Sequence, residues 1–217
     1  MNFVMVNESS MCRYGMVDVY LAHLRKTLGG PQTPPSVHMA VLRCFHNDRD
    51  YRSMLSCMQR RLKLTLTIST EMHLDEHPGC PAWIILDHPV PMYGTSEFTD
   101  SHATLHLRKK MIDPAPCETI IHLLSHELSH IVLFSTDNRL QRSEVAVDLT
   151  AMLLGYRGNR ASSWSEYHTI TRWNKLLRYL RLPYKTMRNL IGSLSPEETE
   201  YAVSAIEEML SAEKTRA

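Results

Sequence analysis

Apolar positions recur with two different periods along this chain. From Leu62 to Ile68 they alternate with polar ones, and Ala103-Thr104-Leu105-His106-Leu107-Arg108 repeats the pattern. A period of two predicts half-buried strands. Ala82-Trp83-Ile84-Ile85-Leu86, bounded by Pro81 and Asp87, is a short apolar run that reads as a central strand. Elsewhere the spacing is helical. Tyr14 to Leu28 reads as a helix stopped by Gly29-Gly30-Pro31, and another is expected from about Asp50 to Leu62. Ile120, Ile121, Leu123, Leu124, Leu128 and Ile131 to Phe134 make a helix over about 115–135 that is apolar nearly all round, with Asp113 as N-cap and Pro116 in the first turn. Val145, Leu149, Met152 and Leu153 follow helical spacing up to Gly155, a C-terminal stop.

Beyond Gly155 the pattern reads as all-helical. Ser163 to Leu182 is one segment, Pro183 breaks it, and Tyr184 to Ile191 follows. Ser195-Pro196-Glu197-Glu198 combines an N-cap, proline at the first helical position and a glutamate three after the cap, opening a last helix to about 212. The sum is an α+β chain in one domain. Helices and a small sheet occupy 1–113, two further helices 114–157, and a helical lobe 158–217.

Composition narrows this only slightly. With 43% hydrophobic and 22% charged residues the chain can bury a substantial core. Five cysteines without CxxC spacing argue against a disulfide framework and for a reducing compartment. The first residues lack a basic region and an apolar core, and no apolar run reaches the length of a membrane span, so a soluble, cytoplasmic protein is expected. Charge is uneven in one region: Arg157, Arg160, Arg172, Lys175, Arg178, Arg181, Lys185 and Arg188 stand against Glu166. Such a face can bind nucleic acid, a membrane surface or an acidic peptide, but is more often simply solvated. No nucleic-acid-binding motif accompanies it.

The chemistry concentrates in His126-Glu127-Leu128-Ser129-His130. Histidines at i and i+4 lie on one helix face, so both imidazoles can reach one ion, and the glutamate at i+1 stands beside the open position. A chain with 12 histidines offers chance matches to so short a pattern. A helix apolar all round, however, carries His122, His126, Glu127 and His130 inward, where ionisable groups are costly unless paired or metal-bound. A catalytic zinc needs a third protein ligand. Glu144 and Asp148 share a helix face 14 and 18 residues after His130. Glu144 can meet the histidine pair, and Asp148 can accept a hydrogen bond from a ligand histidine. The alternatives are a solvated acidic pair, or an aspartate (Asp137 or Asp148) as the ligand itself.

HELSH followed by Glu-x-x-x-Asp resembles the gluzincin group of zinc metallopeptidases. The resemblance spans roughly residues 80–156. It implies one Zn²⁺ per chain held by His126, His130 and Glu144, with Glu127 as general base and Asp148 supporting a ligand histidine. It also implies a peptide or protein substrate and a zincin-like mixed sheet whose edge strand lies above the active helix. On that reading Ala103, Thr104, Leu105, His106 and Leu107, or the neighbouring loop, bind an extended substrate by strand addition; the alternative for this strand is an interior position in the sheet. Tyr156, Tyr167 and His168 are candidates to stabilise an oxyanion. The zincins with a third histidine in HExxHxxGxxH are excluded, because Ile131-Val132-Leu133-Phe134 follows His130. His73, His77 and His88, with Asp75 and Glu76, could form a second metal cluster whose spacing fits no known pattern. His122, one turn before His126, is expected to pack or to support the site.

Overall fold

The segment Cys117–Ser135 forms one long helix, and the other elements are arranged around it. The computed structural model of the protein describes residues 8–74, 80–86, 90–157, 167–169, 187–189 and 193–216, of which 8–13, 167–169, 187–189 and 216 are described by backbone alone. In chain order the elements are α1 (Glu8–Leu28), α2 (Ser36–Asn47), α3 (Tyr51–Arg61), β1 (Thr67–His73), β2 (Ala82–Leu86), α4 (Ser96–Asp100), β3 (His102–Arg108), α5 (Lys109–Ile112), α6 (Cys117–Ser135), α7 (Glu144–Leu153), β4 (Tyr167–Thr169), β5 (Met187–Asn189) and α8 (Pro196–Arg216). The class is α+β.

The sheet is small and mixed, in the order β1-β3-β2, with β1 parallel and β2 antiparallel to β3. This reverses the central position expected of residues 82–86 and, for residues 103–108, selects the interior alternative over the edge role that the resemblance implied. Ala82–Leu86 is an edge strand, and the strand carrying Ala103, Thr104, Leu105, His106 and Leu107 is central, hydrogen-bonded on both sides. Ala103, Leu105 and Leu107 bury their side chains against the helices. A strand paired on both sides has no free backbone groups for a substrate, so strand addition cannot occur there.

The period-two run at Leu62–Ile68 is also displaced. Leu64 and Leu66 are buried, but the Gln59 amide donates to both their carbonyls, and pairing with β3 starts only at Thr67. Alternation there records an extended segment entering the core rather than a paired strand. Asp113 does not cap α6. Pro116 occupies that position, and Asp113 instead takes the Tyr51 hydroxyl, Arg49 and Lys109. Helices α2, α4 and α5 are short amphipathic pieces that the sequence patterns did not single out.

Two apolar clusters flank α6. One joins the sheet to α3 and α6 through Leu105, Leu107, Met54, Met58, Leu124 and Leu128. The other joins α1, α7 and α8 through Val17, Leu21, Leu24, Val147, Leu149 and Ile206, and reaches α6 at Leu133. Each fully buried side chain of this size contributes roughly 1.5–3 kcal/mol, so α6 and α7 are held from both sides. Beyond Gly155 the chain is not all-helical: β4 and β5 pair antiparallel inside the segments 163–182 and 184–191. Tyr167-His168-Thr169 is aromatic and β-branched, and that preference prevails over helical spacing. The rest of those segments lies outside the described residues. The final helix opens as expected: Glu198 N–H donates to Ser195 Oγ at 3.2 Å and Ser195 N–H to Glu198 Oε2 at 2.7 Å.

Helix α7 ends in a Schellman turn, with Tyr156 N–H bonded to Ala151 O and Gly155 N–H to Met152 O, both at 3.0 Å. Gly155 adopts φ +96°, and a Cβ there would stand 2.6 Å from Pro34 Cδ and 2.8 Å from Gln32 O. Gly155→Ala should therefore lower stability by about 1–3 kcal/mol, read as a fall in the urea midpoint at unchanged m-value.

Candidate metal centre

Helix periodicity alone places His126 and His130 on one face of α6, with rings 5.1 Å apart at 79°. A Ser143 N-cap starts α7 so that Glu144 stands in its first turn, facing that pair. Glu144 Oε2 lies 3.2 Å from His126 Nε2 and 3.7 Å from His130 Nε2. All three ligand atoms fall within 4.8 Å of one another. Adjacent ligands on a tetrahedral ion with bonds of ~2.0–2.1 Å are about 3.3 Å apart, so the three groups fit around one cation with little movement.

Asp148, one turn along α7, is fully buried. Its Oδ1 lies 2.7 Å from His126 Nδ1, and its Oδ2 accepts from Ser193 N–H at 2.6 Å and Ser193 Oγ–H at 2.9 Å. A carboxylate can only accept, so His126 Nδ1 carries the proton and Nε2 is the nitrogen turned toward Glu144. His122 is also buried, 3.8 Å from Asp148 Oδ1, and burial pushes it down to about 4, hence neutral. It packs behind His126 and Asp148.

The charges follow from this layout. Burial opposes a charge on His126, but the bonds to Asp148 and Glu144 and the fields of Asp148 and Glu127 outweigh it, and its pKa is pushed up to about 10. His130 goes the other way, lowered by burial and by the His126 charge. Glu144 is held below the usual carboxylate range by its bond to His126. Glu127, 5% exposed, is pushed up to about 7, chiefly by burial, with His126 and the Ile84 amide pulling it down and Glu144 pushing it up.

That Ile84 amide belongs to β2. The bond from Arg108 N–H to Pro81 O makes 81 and 108 a hydrogen-bonded pair, so the N–H and C=O groups of Ala82, Ile84 and Leu86 point away from β3. The Cys80 thiol donates to Ala82 O, and Glu127 takes the Ile84 N–H. Between this edge and α6 lies an open cleft of about 400 Å³, lined by Ala82, Ile84, Leu86, Phe134, Glu127 and the His126/His130/Glu144 group.

Other candidate residues stand elsewhere. Tyr156 is buried 3.2 Å from His38 Nε2 and borders a separate small cavity, because the Schellman turn carries it under α2 rather than toward the cleft. Tyr167 and His168 fall on β4 and Arg188 on β5, where their side chains are not described, and Arg160, Arg172, Lys175, Arg178, Arg181 and Lys185 of the basic segment lie outside the described residues. Arg157 is tied to Gln32 O and Met152 O. Two contributors were not visible in the sequence. Ser193 meets Asp148 across 45 positions, and Ile84 acts through its backbone, so neither leaves a local pattern. No family model, no curated protein and no solved structure matches the chain. No described helix is long and apolar enough to cross a membrane.

Two outcomes follow at this centre. The His126 Nε2 proton is bound at neutral pH, since its pKa stands near 10. A cation must displace it, so binding should release about one proton and tighten as pH rises toward that value; calorimetry in buffers of different ionisation enthalpy reads the release. In Asp148→Asn the two Ser193 donors fix the amide oxygen on their side and turn the NH₂ toward His126 Nδ1. That forces the proton onto Nε2, and cation affinity should fall roughly 10–100-fold, measured by competition with a chromogenic chelator.

Proposed function

We propose that this protein is a zinc-dependent peptidase of the gluzincin type, hydrolysing peptide bonds in the cleft between β2 and α6. The observation that carries the proposal is the convergence of His126, His130 and Glu144 within 4.8 Å, beside a buried Glu127 held near neutrality. Two imidazoles and one carboxylate form a donor set suited to catalytic zinc, with one coordination position left open. Zinc bound there supplies Lewis acidity and brings water toward a pKa of ~7.

The chain's own residues do the rest. Glu127 takes a proton from the attacking water and returns it to the leaving amine, a double role that its burial favours by raising its pKa. Asp148 fixes the tautomer of His126. With the Ala82 C=O held by Cys80 and the Ile84 N–H by Glu127, the remaining outward groups of β2, the Ala82 N–H, the Ile84 C=O and those of Leu86, offer an extended substrate a strand to pair with, which sets its backbone beside α6 and tolerates many sequences. The strand-addition role expected of residues 103–107 thus passes to β2.

Glu127→Gln preserves shape and the Ile84 bond but removes the base. It should retain zinc and lose roughly 10²–10⁴-fold in turnover, scored by mass spectrometry of a peptide library after incubation with zinc-loaded protein. Wild-type turnover in the variant contradicts the mechanism, and an inert wild type with full zinc occupancy favours a non-enzymatic binding role.

A further inference from the structure

A second set of metal-type ligands stands on the other face of the sheet. Register puts Glu71 of β1, His106 of β3 and Trp83 of β2 in one cross-strand row. Leu105 and Leu107 point into the core, so His106 points the opposite way, away from the helices. A histidine on an open sheet face is ordinarily wet. His106 is instead 8% exposed. His73 covers it with ring centroids 5.1 Å apart, and Trp83 stacks on it at 4.8 Å with planes 8° apart. The Arg108 guanidinium in turn lies 4.6 Å over the Trp83 ring. The imidazole is thus desolvated and fixed in plane.

Its Nδ1 is aimed at two neighbours, His73 Nε2 at 2.9 Å and Glu71 Oε2 at 3.3 Å. Nδ1 carries either one proton or one lone pair, and a single proton serves a second imidazole nitrogen and a carboxylate together only as a weaker three-centre bond. On the far side of the ring, Nε2 is buried without a hydrogen-bond partner. A cation between the three groups satisfies Nδ1, His73 and Glu71 at once. The separations suit one: ligands around an ion with bonds of ~2.1 Å lie about 3.0 Å apart at right angles and about 3.4 Å apart at tetrahedral angles. All three ligand atoms fall within 4.8 Å of one another.

We propose that Glu71, His73 and His106 form a second metal site, specific for a divalent transition ion, that clips β1 to β3. Two imidazoles with one carboxylate select zinc, nickel, copper or cobalt over magnesium and calcium. The clip joins positions 33 residues apart in sequence and fastens the edge strand β1 to the centre of the sheet. Through the stacked Trp83 it also steadies β2, whose free edge borders the first cleft. The site shares no side chain with His126, His130 and Glu144, and it adds an ion to the single one expected from the HExxH pattern.

The test counts ions in the full-length chain. His126→Ala/His130→Ala removes the first centre. The variant is stripped with chelator, reloaded with zinc, desalted and assayed by elemental analysis, with circular dichroism to confirm folding. One equivalent is expected, lost on adding His73→Ala and weakened by Glu71→Gln. Saturable quenching of tryptophan emission by nickel should likewise disappear with His73→Ala, since Trp83 stacks on His106. No bound zinc in the folded double variant overturns the proposal, as does an equivalent that survives His73→Ala and Glu71→Gln together. Should the double variant fail to fold, the wild type answers the same question: a count that falls by one in His73→Ala supports the site, and an unchanged count overturns it.

Discussion

The Asp148 carboxylate is the constraint on which the rest of the candidate metal centre depends. It is fully buried, and burying a lone carboxylate is prohibitive, so each of its oxygens has a fixed partner. One holds His126, which sits on α6. The other holds Ser193, which leads into α8. Removing one side of such a buried pair costs roughly 3–5 kcal/mol. The same bonds that seat α7 against α6 therefore also set the tautomer and orientation of His126. Stability and ligand geometry are one feature here.

Around that anchor the two apolar clusters make the site rigid. The helix carrying both histidines is buried between the sheet and the α1/α7/α8 layer, and Glu144 emerges from the first turn of a helix packed on the same layer. Side chains on helices held in this way keep their relative positions better than side chains on loops. The opposite wall has a different character. β2 is a short edge strand with outward backbone groups, and it is tied to the centre at Glu127 through Ile84. A rigid set of candidate ligands thus faces an edge on which the Ala82 N–H and Ile84 C=O still point outward.

What was legible in the sequence was local. The i, i+4 spacings of His126/His130 and Glu144/Asp148, the Ser195 cap and the Gly155 stop each depend on residues within one or two turns, and each could be read directly. Strand order could not. Residues 82–86 form a short apolar run and 103–108 an alternating one, yet long-range pairing makes the second central and the first an edge. Alternation misplaced β1 because Leu64 and Leu66 enter the core before any pairing begins. Tyr156 was misassigned because its distance in sequence from Glu144 says nothing of how the Schellman turn redirects the chain. The row of Glu71, His106 and Trp83 depends wholly on register, so its members were invisible as a group.

The most direct test of the central account is a crystal structure of the zinc-loaded protein with anomalous data collected at the zinc edge. The expected result is a peak bonded by His126 Nε2, His130 Nε2 and a Glu144 oxygen, with Asp148 still on His126 Nδ1 and Glu127 beside the open position. A peak bonded by Asp148, with Glu144 turned to solvent, would contradict the assignment of roles. The absence of any peak between α6 and α7 in fully loaded crystals would contradict the metal centre itself.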